Sequence, residues 1–458
     1  MPERERATSR PGDDRRRHMV LTVYFHTPGY YNYTWRGADS RAEEWGRLEL
    51  ISDLAGQAER ACIDALFIAD VTSAGPILAG DTKNASFYEP ITALSALAGR
   101  TSRIGLIGTA STTFNHPYTL ARQLAGLDLL SDGRAGWNIV TSWLGNENYG
   151  LDEMPDPADR YRRADEFVDV ARRLWRSWEP DAVIADRATG RWMDPSRIHA
   201  IDHVGEFFSV RGPLAMRRSP QTGPVLVQAG SSGPGVDLGA THAELIYTAQ
   251  PIRERSIEFY AMYKDVVESK GRPRDDVAIL PGILPIIGRT EAEAREFAEE
   301  LESLVDFEHA RGYMQSSMRI RLDDLDLDDR IPPERFDDGR QTTSRSEIFR
   351  MRAVDQGFTL RELILDFSRS SGHLSVVGSA SRVADLMVDW FESRACDGFS
   401  LNPPSVPEGY RRLCELLVPE LQERGVFHAD YPATTLRGNI AAGRSEASLL
   451  LDATRREG

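Results

Sequence analysis

The apolar residues of this chain follow two alternating patterns. Short, nearly uninterrupted apolar runs are typical of strands that are buried on both faces of a parallel sheet. The segments between them carry apolar residues three and four positions apart, as in Glu49–Ile63 and Arg160–Trp175, and this spacing predicts amphipathic helices. The predicted strands are Val20–Phe25, Ala65–Ala69, Arg103–Gly108, Ala135–Val140, Val225–Ala229, Glu244–Thr248, Val277–Ile287 and Gly398–Leu401.

Eight strand candidates that are separated by helices favour an α/β protein with a parallel sheet, and a barrel is the commonest closed form of such a sheet at this length. A doubly wound open sheet is the competing fold. Neither a GxGxxG fingerprint nor a GxxxxGK[ST] loop follows an early predicted strand, which weakens the doubly wound alternative. The predicted fold is therefore a (β/α)8 TIM-like barrel with insertions over its C-terminal face.

Several segments do not follow the rhythm of the barrel. Residues 178–218 are rich in Pro, Arg and Asp and predict an insertion with a small hairpin. Residues 305–369 contain the acidic stretch LDDLDLDDRIPPERFDDGR and predict a second insertion over the barrel mouth. The barrel domain is predicted at 19–426. It follows a charged, disordered tail at 1–18 without a signal-peptide core, and 427–458 is predicted to be a tail or an oligomer arm.

Composition narrows the possible functions of these 458 residues. A hydrophobic fraction of 41% supplies a large core, and a net charge of −15 argues against a nucleic-acid-binding protein, since phosphates are held by excess Lys and Arg. No apolar run reaches about 18 residues, so no membrane span is predicted. The three cysteines lack CxxC spacing and the nine histidines lack HExxH spacing. Disulfides and metal ligation are therefore disfavoured, and a cytoplasmic location is predicted.

Polar residues directly after the predicted strands are the first candidates for chemistry. The carboxyl ends of barrel strands converge on one face, so side chains at these positions are expected to lie close together. The candidates of this kind are His26, Asp70, Thr109, Ser111, Asn138, Ser142, Ser231 and Ser232.

The segment Val225–Asp237, VLVQAGSSGPGVD, is the most specific local signal. An apolar strand leads into a Gly/Ser turn, after which a helix begins. Free backbone N–H groups and the helix dipole at such a turn suit a phosphate. Gly230 and Gly233 allow close approach of the backbone, and the serine hydroxyls can donate hydrogen bonds. An ordinary strand-to-helix turn with serine capping is the alternative.

Other candidates have structural alternatives as well. Asp70 is either a carboxylate at the barrel mouth or the cap of the next turn. His373, in the loop sequence SSGHLSVVG, is either a general acid or base or an exposed loop residue. His116 is interpreted as a helix cap and Trp137 as a core residue.

Several phrases together resemble one family. IGLIGTASTTFNHPYTLARQLAGLDLLSDGRAGWNIVTS resembles the signature region of the bacterial-luciferase-like flavin-dependent monooxygenases. DRYRRADEFVDVARRLW, PVLVQAGSSGPGVDLGATHAELIYTA and VGSASRVADLMVDWFESRACDGFSLNPP continue the resemblance in the same order. It is closest to the branch of nitrilotriacetate monooxygenase component A, dibenzothiophene-sulfone monooxygenase and pristinamycin synthase, and it covers roughly Val20 to Gly425.

The resemblance implies a TIM-like barrel that uses reduced FMN and O₂, with the flavin reduced by a separate NAD(P)H-dependent flavin reductase. It also implies site residues by position. Asp70 and Thr109 resemble residues near the flavin ring, and Asn138 and Ser142 resemble residues on the ring side of the pocket. Tyr161, Ser231 and Ser232 resemble the phosphate-end ligands, and His373 resembles a histidine near the substrate.

Two departures from the family pattern concern these sites. Relatives usually carry His four residues before the equivalent of Tyr161, where this chain has Pro157, so one phosphate or ribityl hydrogen bond is expected to differ. The first strand leads into FHTPGYYNYTWRGAD instead of the family's usual GHH…AWRHP phrase. His26, Tyr30 and Tyr31 are therefore expected to reshape the substrate side.

The predicted function is a two-component FMN-dependent monooxygenase that acts on a small organic substrate, with His26 and His373 as the catalytic candidates. Tyr24 and Trp35 are among the aromatic residues that favour an aromatic or heterocyclic compound in which a C–N or C–S bond is cleaved. The alternatives are an F420-dependent oxidoreductase on the same barrel and a non-catalytic flavin-binding homologue. A homodimer or homotetramer is expected.

Overall fold

The computed structural model describes residues 17–78, 88–336 and 344–442. Eight parallel strands close into a barrel in the order β1, β2, β3, β4, β9, β10, β11 and β13, and β13 pairs with β1. The strands are β1 Val20–Tyr24, β2 Ala65–Ile68, β3 Gly105–Ser111, β4 Ala135–Val140, β5 Val183–Asp186, β6 Arg191–Met193, β7 His203–Val204, β8 Ser209–Val210, β9 Val225–Gln228, β10 Leu245–Thr248, β11 Ala278–Gly288, β12 Leu374–Ser379 and β13 Gly398–Leu401.

Helices surround the barrel and form most of the second insertion. The α-helices are α1 Leu48–Arg60, α2 Gly75–Leu78, α3 Pro90–Ala98, α4 Pro117–Leu130, α5 Pro157–Trp175, α6 Gly233–His242, α7 Arg253–Ser269, α8 Glu291–Ser303, α9 Phe307–Met318, α10 Ser344–Val354, α11 Leu360–Ser370, α12 Ala380–Glu392, α13 Glu408–Arg412, α14 Val418–Glu423 and α15 Leu436–Ala442. A π-helical turn, Leu413–Leu417, joins α13 to α14.

The prediction of a (β/α)8 barrel is confirmed, and each barrel strand coincides with a predicted one. The largest difference is at β3, which begins at Gly105 and continues to Ser111 because its last residue still pairs with Val140 of β4. The strand β12 was not predicted. It pairs with the second half of β11, from Ile283 to Gly288.

The alternation of side chains along each strand separates two cores. Inward residues such as Val20, Ile107 and Val227 form the barrel interior, whereas outward residues such as Leu21 and Phe399 pack against the helices. This division follows from the two-residue period of a strand, and it determines which polar side chains at the strand ends face the mouth.

The two predicted insertions pack against different parts of the barrel. Residues 178–218 form two antiparallel pairs, β5–β6 and β7–β8, and Glu166 of α5 accepts hydrogen bonds from the backbone N–H groups of Phe207 and Phe208 at 2.9 Å. The described part of 305–369 contains α9, α10 and α11. Its apolar core packs on Tyr30, Tyr31 and Tyr33 in the loop after β1.

The C-terminal segment was predicted to be a tail or an oligomer arm. Its described residues, 427–442, pack against the barrel. The Tyr431 hydroxyl donates to the carbonyl of Ile63 at 2.7 Å, and the buried side chains of Leu436 and Ile440 join the barrel interior. Residues 443–458 of that prediction lie outside the described residues. At the other end, residues 1–16 of the predicted tail also lie outside, while Arg17 donates to Asp397 at 3.0 Å.

Candidate active site

Three aromatic side chains from the inner face of the barrel form what we call the aromatic floor: Tyr24, Phe67 and Tyr247. The ring centroids of Tyr24 and Phe67 are 5.5 Å apart, and those of Phe67 and Tyr247 are 4.6 Å apart. Each lies at or near the carboxyl end of its strand. The ring planes are inclined to each other by 63° and 39° respectively, so the floor gives the barrel mouth an aromatic base of tilted rings.

Thr109 and Asn138 are adjacent on β3 and β4 because these strands pair in register at the two positions. The Asn138 amide donates to the Thr109 hydroxyl at 3.0 Å, and that hydroxyl donates to the carbonyl of Ile68 at 3.0 Å. Both side chains are buried. Asn138 Oδ1 is buried and has no hydrogen-bond partner among the described residues. A bound group with an N–H donor would satisfy this oxygen.

The loop after β4 is held by hydroxyl and guanidinium contacts. Ser142 has a positive φ of 38°, and its hydroxyl is 2.8 Å from the Ser111 hydroxyl. Arg160 donates from Nη1 to the carbonyls of Thr141 and Ser142, which ties the start of α5 to this loop. The next residue along α5 is Tyr161, which is half-buried. The contacts therefore bring Ser111, Ser142 and the start of α5 together.

Pro157 is the first residue of α5. Asp156 caps this helix by accepting a hydrogen bond from the Ala158 N–H at 2.8 Å. Proline suits this position because the missing N–H would have no intrahelical acceptor there. Its local role is therefore to start the helix, and it supplies no side-chain hydrogen bond.

Asp70 lies two residues beyond β2 and is half-buried. Burial raises the pKa of this carboxyl to about 6, and the nearby charge of Glu89 adds to the effect. The side chain therefore stays protonated at a higher pH than an ordinary aspartate. A carboxyl group with this pKa can donate a hydrogen bond in mildly acidic solution and only accept one in basic solution.

His26 and His373 lie on the same side of the mouth, near Tyr24 and Tyr30. The imidazole of His26 is buried, and its Nδ1 donates to the carbonyl of Gly29 at 3.0 Å, so the neutral ring carries its proton on Nδ1. The His26 ring stacks on Tyr24 at 5.8 Å, and the His373 ring contacts Tyr30 at 5.7 Å.

A glycine in β11 allows His373 to enter the mouth. Gly282 follows the inward residue Leu280 by two positions, so it faces the barrel interior. A Cβ atom at Gly282 would lie 2.4 Å from His373 Nδ1, which is closer than any normal contact. The imidazole therefore occupies the space that a side chain at position 282 would fill.

The Gly/Ser turn after β9, which was predicted to be an anion site, leads directly into the first turn of α6. Ser232 precedes α6 and makes no side-chain capping bond, so the N–H groups of Gly233 and Gly235 have no intrahelical acceptor. Ser231 and Ser232 are exposed. The turn is tight because Gly230 and Gly235 touch, and a Cβ on Gly230 would lie 2.9 Å from the Gly235 Cα.

Sequence reasoning found the strand-end residues but missed some residues of the mouth. Tyr247 lies within a predicted strand, but no polar or Gly-rich signal marks it. Asn402 follows β13 and is 3% exposed, with Nδ2 unpartnered among the described residues. Its position directly after a predicted strand is the signal that could have found it.

The comparison with protein families assigns the chain. The family model of luciferase-like monooxygenases matches residues 27–395. The chain belongs to this family. The predicted family and the prediction of a monooxygenase enzyme are thereby confirmed.

Two curated relatives extend the match over nearly the whole chain. N-acetyl-S-(2-succino)cysteine monooxygenase from Bacillus subtilis is 40% identical over 430 residues, which are 92% of this chain and 96% of the relative. Nitrilotriacetate monooxygenase component A from Aminobacter aminovorans is 36% identical, over 94% of this chain and 98% of the relative. Relatives of this family member are thus monooxygenases named for small organic substrates.

Solved structures agree with the fold. The crystal structure of DmoA from Hyphomicrobium sulfonivorans matches with a TM-score of 0.84 at 30% identity, and 96% of each chain is covered. The structure of riboflavin lyase, determined with modified FMN and riboflavin, matches with a TM-score of 0.79 at 28% identity, covering 93% of this chain and 96% of that one. A flavin is therefore bound within a closely similar barrel.

The described residues contain neither a membrane-spanning helix nor a cluster of metal ligands. No helix in residues 17–78, 88–336 or 344–442 is long and apolar enough to cross a membrane. In the same residues, no group of three or more His, Cys, Asp or Glu side chains is arranged to hold a metal ion.

Proposed function

We propose that this protein is the oxygenase component of a two-component system, which takes reduced FMN from a separate NAD(P)H-dependent flavin reductase and uses it with O₂ to oxygenate a small organic compound. The observation that carries the proposal is the unpartnered Oδ1 of Asn138, buried at the mouth of a luciferase-like barrel. A flavin ring offers N–H groups along one edge, and one of them would satisfy this oxygen.

The other residues proposed to hold the flavin form two groups at the barrel mouth, one for the phosphate and one for the ring. The flavin phosphate would be held at the start of α6 by the N–H groups of Gly233 and Gly235, with the side chains of Ser231 and Ser232 beside them. Thr109 and Ser142 would border the flavin ring, and each is held in place by a hydrogen bond, Thr109 to Asn138 and Ser142 to Ser111. Tyr161 of α5 would contribute a contact at the phosphate end. Pro157, at the position where relatives usually carry a histidine, cannot supply that histidine's hydrogen bond.

Reduced FMN supplies the two electrons with which dioxygen is split, so that one oxygen atom enters the substrate and the other leaves as water. The protein's own groups exclude water, orient the reactants and supply protons. His26 lies beside Tyr24 and His373 beside Tyr30, on the side of the mouth opposite Asn138. There they can give a proton to an oxygen atom that comes from dioxygen. Oxygenation at a carbon bonded to nitrogen or sulfur gives an adduct that breaks that bond.

Reduced-FMN binding by wild type and Asn138→Leu tests the cofactor assignment. We expect wild type to prefer photoreduced over oxidised FMN under anaerobic conditions, and Asn138→Leu to bind reduced FMN about tenfold more weakly, because it loses a buried hydrogen bond. Oxygen consumption with an added flavin reductase completes the test. Binding of neither FMN form by wild type, or turnover with F420 in place of FMN, would overturn the proposal.

A further inference from the structure

Asn402 occupies the inner side of the barrel mouth directly after β13. Its backbone N–H donates to the carbonyl of Ile283 at 2.8 Å, which continues the strand pairing by one residue beyond Leu401. Phe399 and Leu401 face outward, where they join the core formed with the helices. The two-residue alternation therefore directs the Asn402 side chain inward.

The neighbours of Asn402 are the residues on the histidine side of the mouth. Leu401 pairs with Val23, so Tyr24 of the aromatic floor is the next residue across from Asn402 on β1. On the other side lies β11, where His373 covers Gly282. The Tyr30 N–H donates to the carbonyl of Pro403 at 2.7 Å, which brings the loop after β1 over this position.

Asn402 and Asn138 lie on opposite sides of the barrel. In the closed strand order, β13 is four strands away from β4 in either direction. Asn138 presents an unpartnered acceptor, Oδ1, and Asn402 presents an unpartnered donor, Nδ2, among the described residues. The two amides thus offer complementary groups from the two edges of one mouth.

A buried donor without an acceptor is costly, and an apolar side chain of similar size would avoid that cost. Asn402 is 3% exposed, so bulk water does not reach its Nδ2 to accept a hydrogen bond. The geometry points to a ligand acceptor. We propose that Asn402 Nδ2 donates a hydrogen bond to an oxygen atom of the organic substrate, and that Asn402 is a specificity-determining residue.

This inference rests on the proposed flavin-dependent oxygenation and specifies its substrate class. The aromatic floor accommodates an apolar body, and Asn402 requires a carboxylate, carbonyl or sulfone oxygen attached to it. Hydrocarbons and simple sulfides leave the Asn402 donor unpaired and are disfavoured. Carboxylates and sulfones both offer an oxygen atom that can accept this hydrogen bond, but only the carboxylate carries a charge.

Binding of three probes in the presence of reduced FMN, measured anaerobically, tests the inference. The probes are N-acetyl-S-(2-succino)cysteine, dibenzothiophene sulfone and the oxygen-free dimethyl sulfide. We expect wild type to bind an oxygen-bearing probe, and Asn402→Leu to bind it about tenfold or more weakly. Asn402→Asp replaces a donor with an anionic acceptor, so it should reject the acid more strongly than the sulfone.

Asn138→Leu is the matched control because it removes the amide on the other side of the mouth. It should weaken reduced FMN and leave the substrate contact intact, whereas Asn402→Leu should leave reduced-FMN affinity unchanged. The melting temperature of Asn402→Leu should equal or exceed that of wild type, since an unpaired buried donor is removed.

Three results would overturn the inference. The first is that Asn402→Leu binds the probes as tightly as wild type does, and the second is that Asn402→Leu and Asn402→Asp both melt at a lower temperature than wild type. The third is that the wild-type protein binds reduced FMN but neither oxygen-bearing probe. In the last case, oxygen consumption supported by the flavin reductase still decides the proposed function separately.

Discussion

At the scale of single residues, Asp70 has an ionisation that the fold changes. Burial and the charge of Glu89 raise its pKa to about 6, against about 3.9 for an ordinary aspartate. The neutral, hydrogen-bond-donating form therefore persists below about pH 6, and the charged form appears above it. In the proposed site this carboxyl lies near the ring of an anionic ligand, so its charge opposes binding.

We predict that reduced FMN binds more weakly as the pH rises from 5 to 8, because Asp70 becomes charged. Asp70→Asn stays neutral, so its dissociation constant should vary less over that range. The FMN phosphate also titrates near pH 6, and reduced riboflavin, which lacks it, is the control ligand. An equal pH dependence of riboflavin binding in wild type and Asp70→Asn would contradict the prediction.

At the scale of an element, the start of α6 depends on two glycines in different ways. Gly230 touches the backbone of Gly235, which lies in the first turn of α6, where the N–H groups have no intrahelical acceptor. Gly233 is in the same turn, but nothing lies within 4 Å of a Cβ atom built on it. Substitutions at the two positions therefore distinguish the effect of opening the tight turn from the effect of replacing any glycine in it.

Gly230→Ala should weaken FMN binding by about tenfold or more, because the added Cβ forces the turn open and displaces the phosphate donors. Gly233→Ala should bind FMN within about twofold of wild type, since its Cβ enters open space. Reduced riboflavin should bind both variants equally, because it has no phosphate. Loss of riboflavin binding in Gly230→Ala would show that the turn positions the ring instead.

At the scale of the whole molecule, the second insertion is attached to the loop after β1 by specific bonds. The Tyr33 hydroxyl is 2.9 Å from Nδ1 of His309 in α9, and the Asn32 N–H donates to the carbonyl of Ser368 in α11 at 3.0 Å. The same loop carries His26 and Tyr30. The insertion is therefore bonded directly to the loop that forms the substrate side of the proposed site.

Tyr33→Phe should loosen this attachment and increase the oxygen consumed per product formed, because water then reaches the reacting groups. The free energy of unfolding should fall by about 1 kcal/mol, the usual contribution of one hydrogen bond. If the bond is the cause of the extra oxygen consumption, adding His309→Ala should not increase that consumption further. Unchanged coupling of oxygen to product in Tyr33→Phe would count against a closing role for the insertion.

Local patterns in the sequence were enough to predict the barrel, the strand-end candidates and the anion turn. Buried parallel strands are continuous apolar runs, and a Gly/Ser turn before a helix is a contiguous signal, so neither needs knowledge of distant contacts. The C-terminal segment was different. Leu436 and Ile440 are four residues apart, a spacing that surface helices also have, so the sequence does not show where they pack. In the structure both side chains are buried in the barrel interior.

The sequence by itself determined that eight strands and their polar ends would form one barrel mouth. Only the tertiary structure decided which groups are neighbours there, because the contacts join residues that are far apart in the chain. Strand register pairs Thr109 with Asn138, a glycine in β11 admits His373, and closure of β13 on β1 brings Asn402 beside Tyr24. These contacts depend on strand register and barrel closure, which no local stretch of sequence specifies.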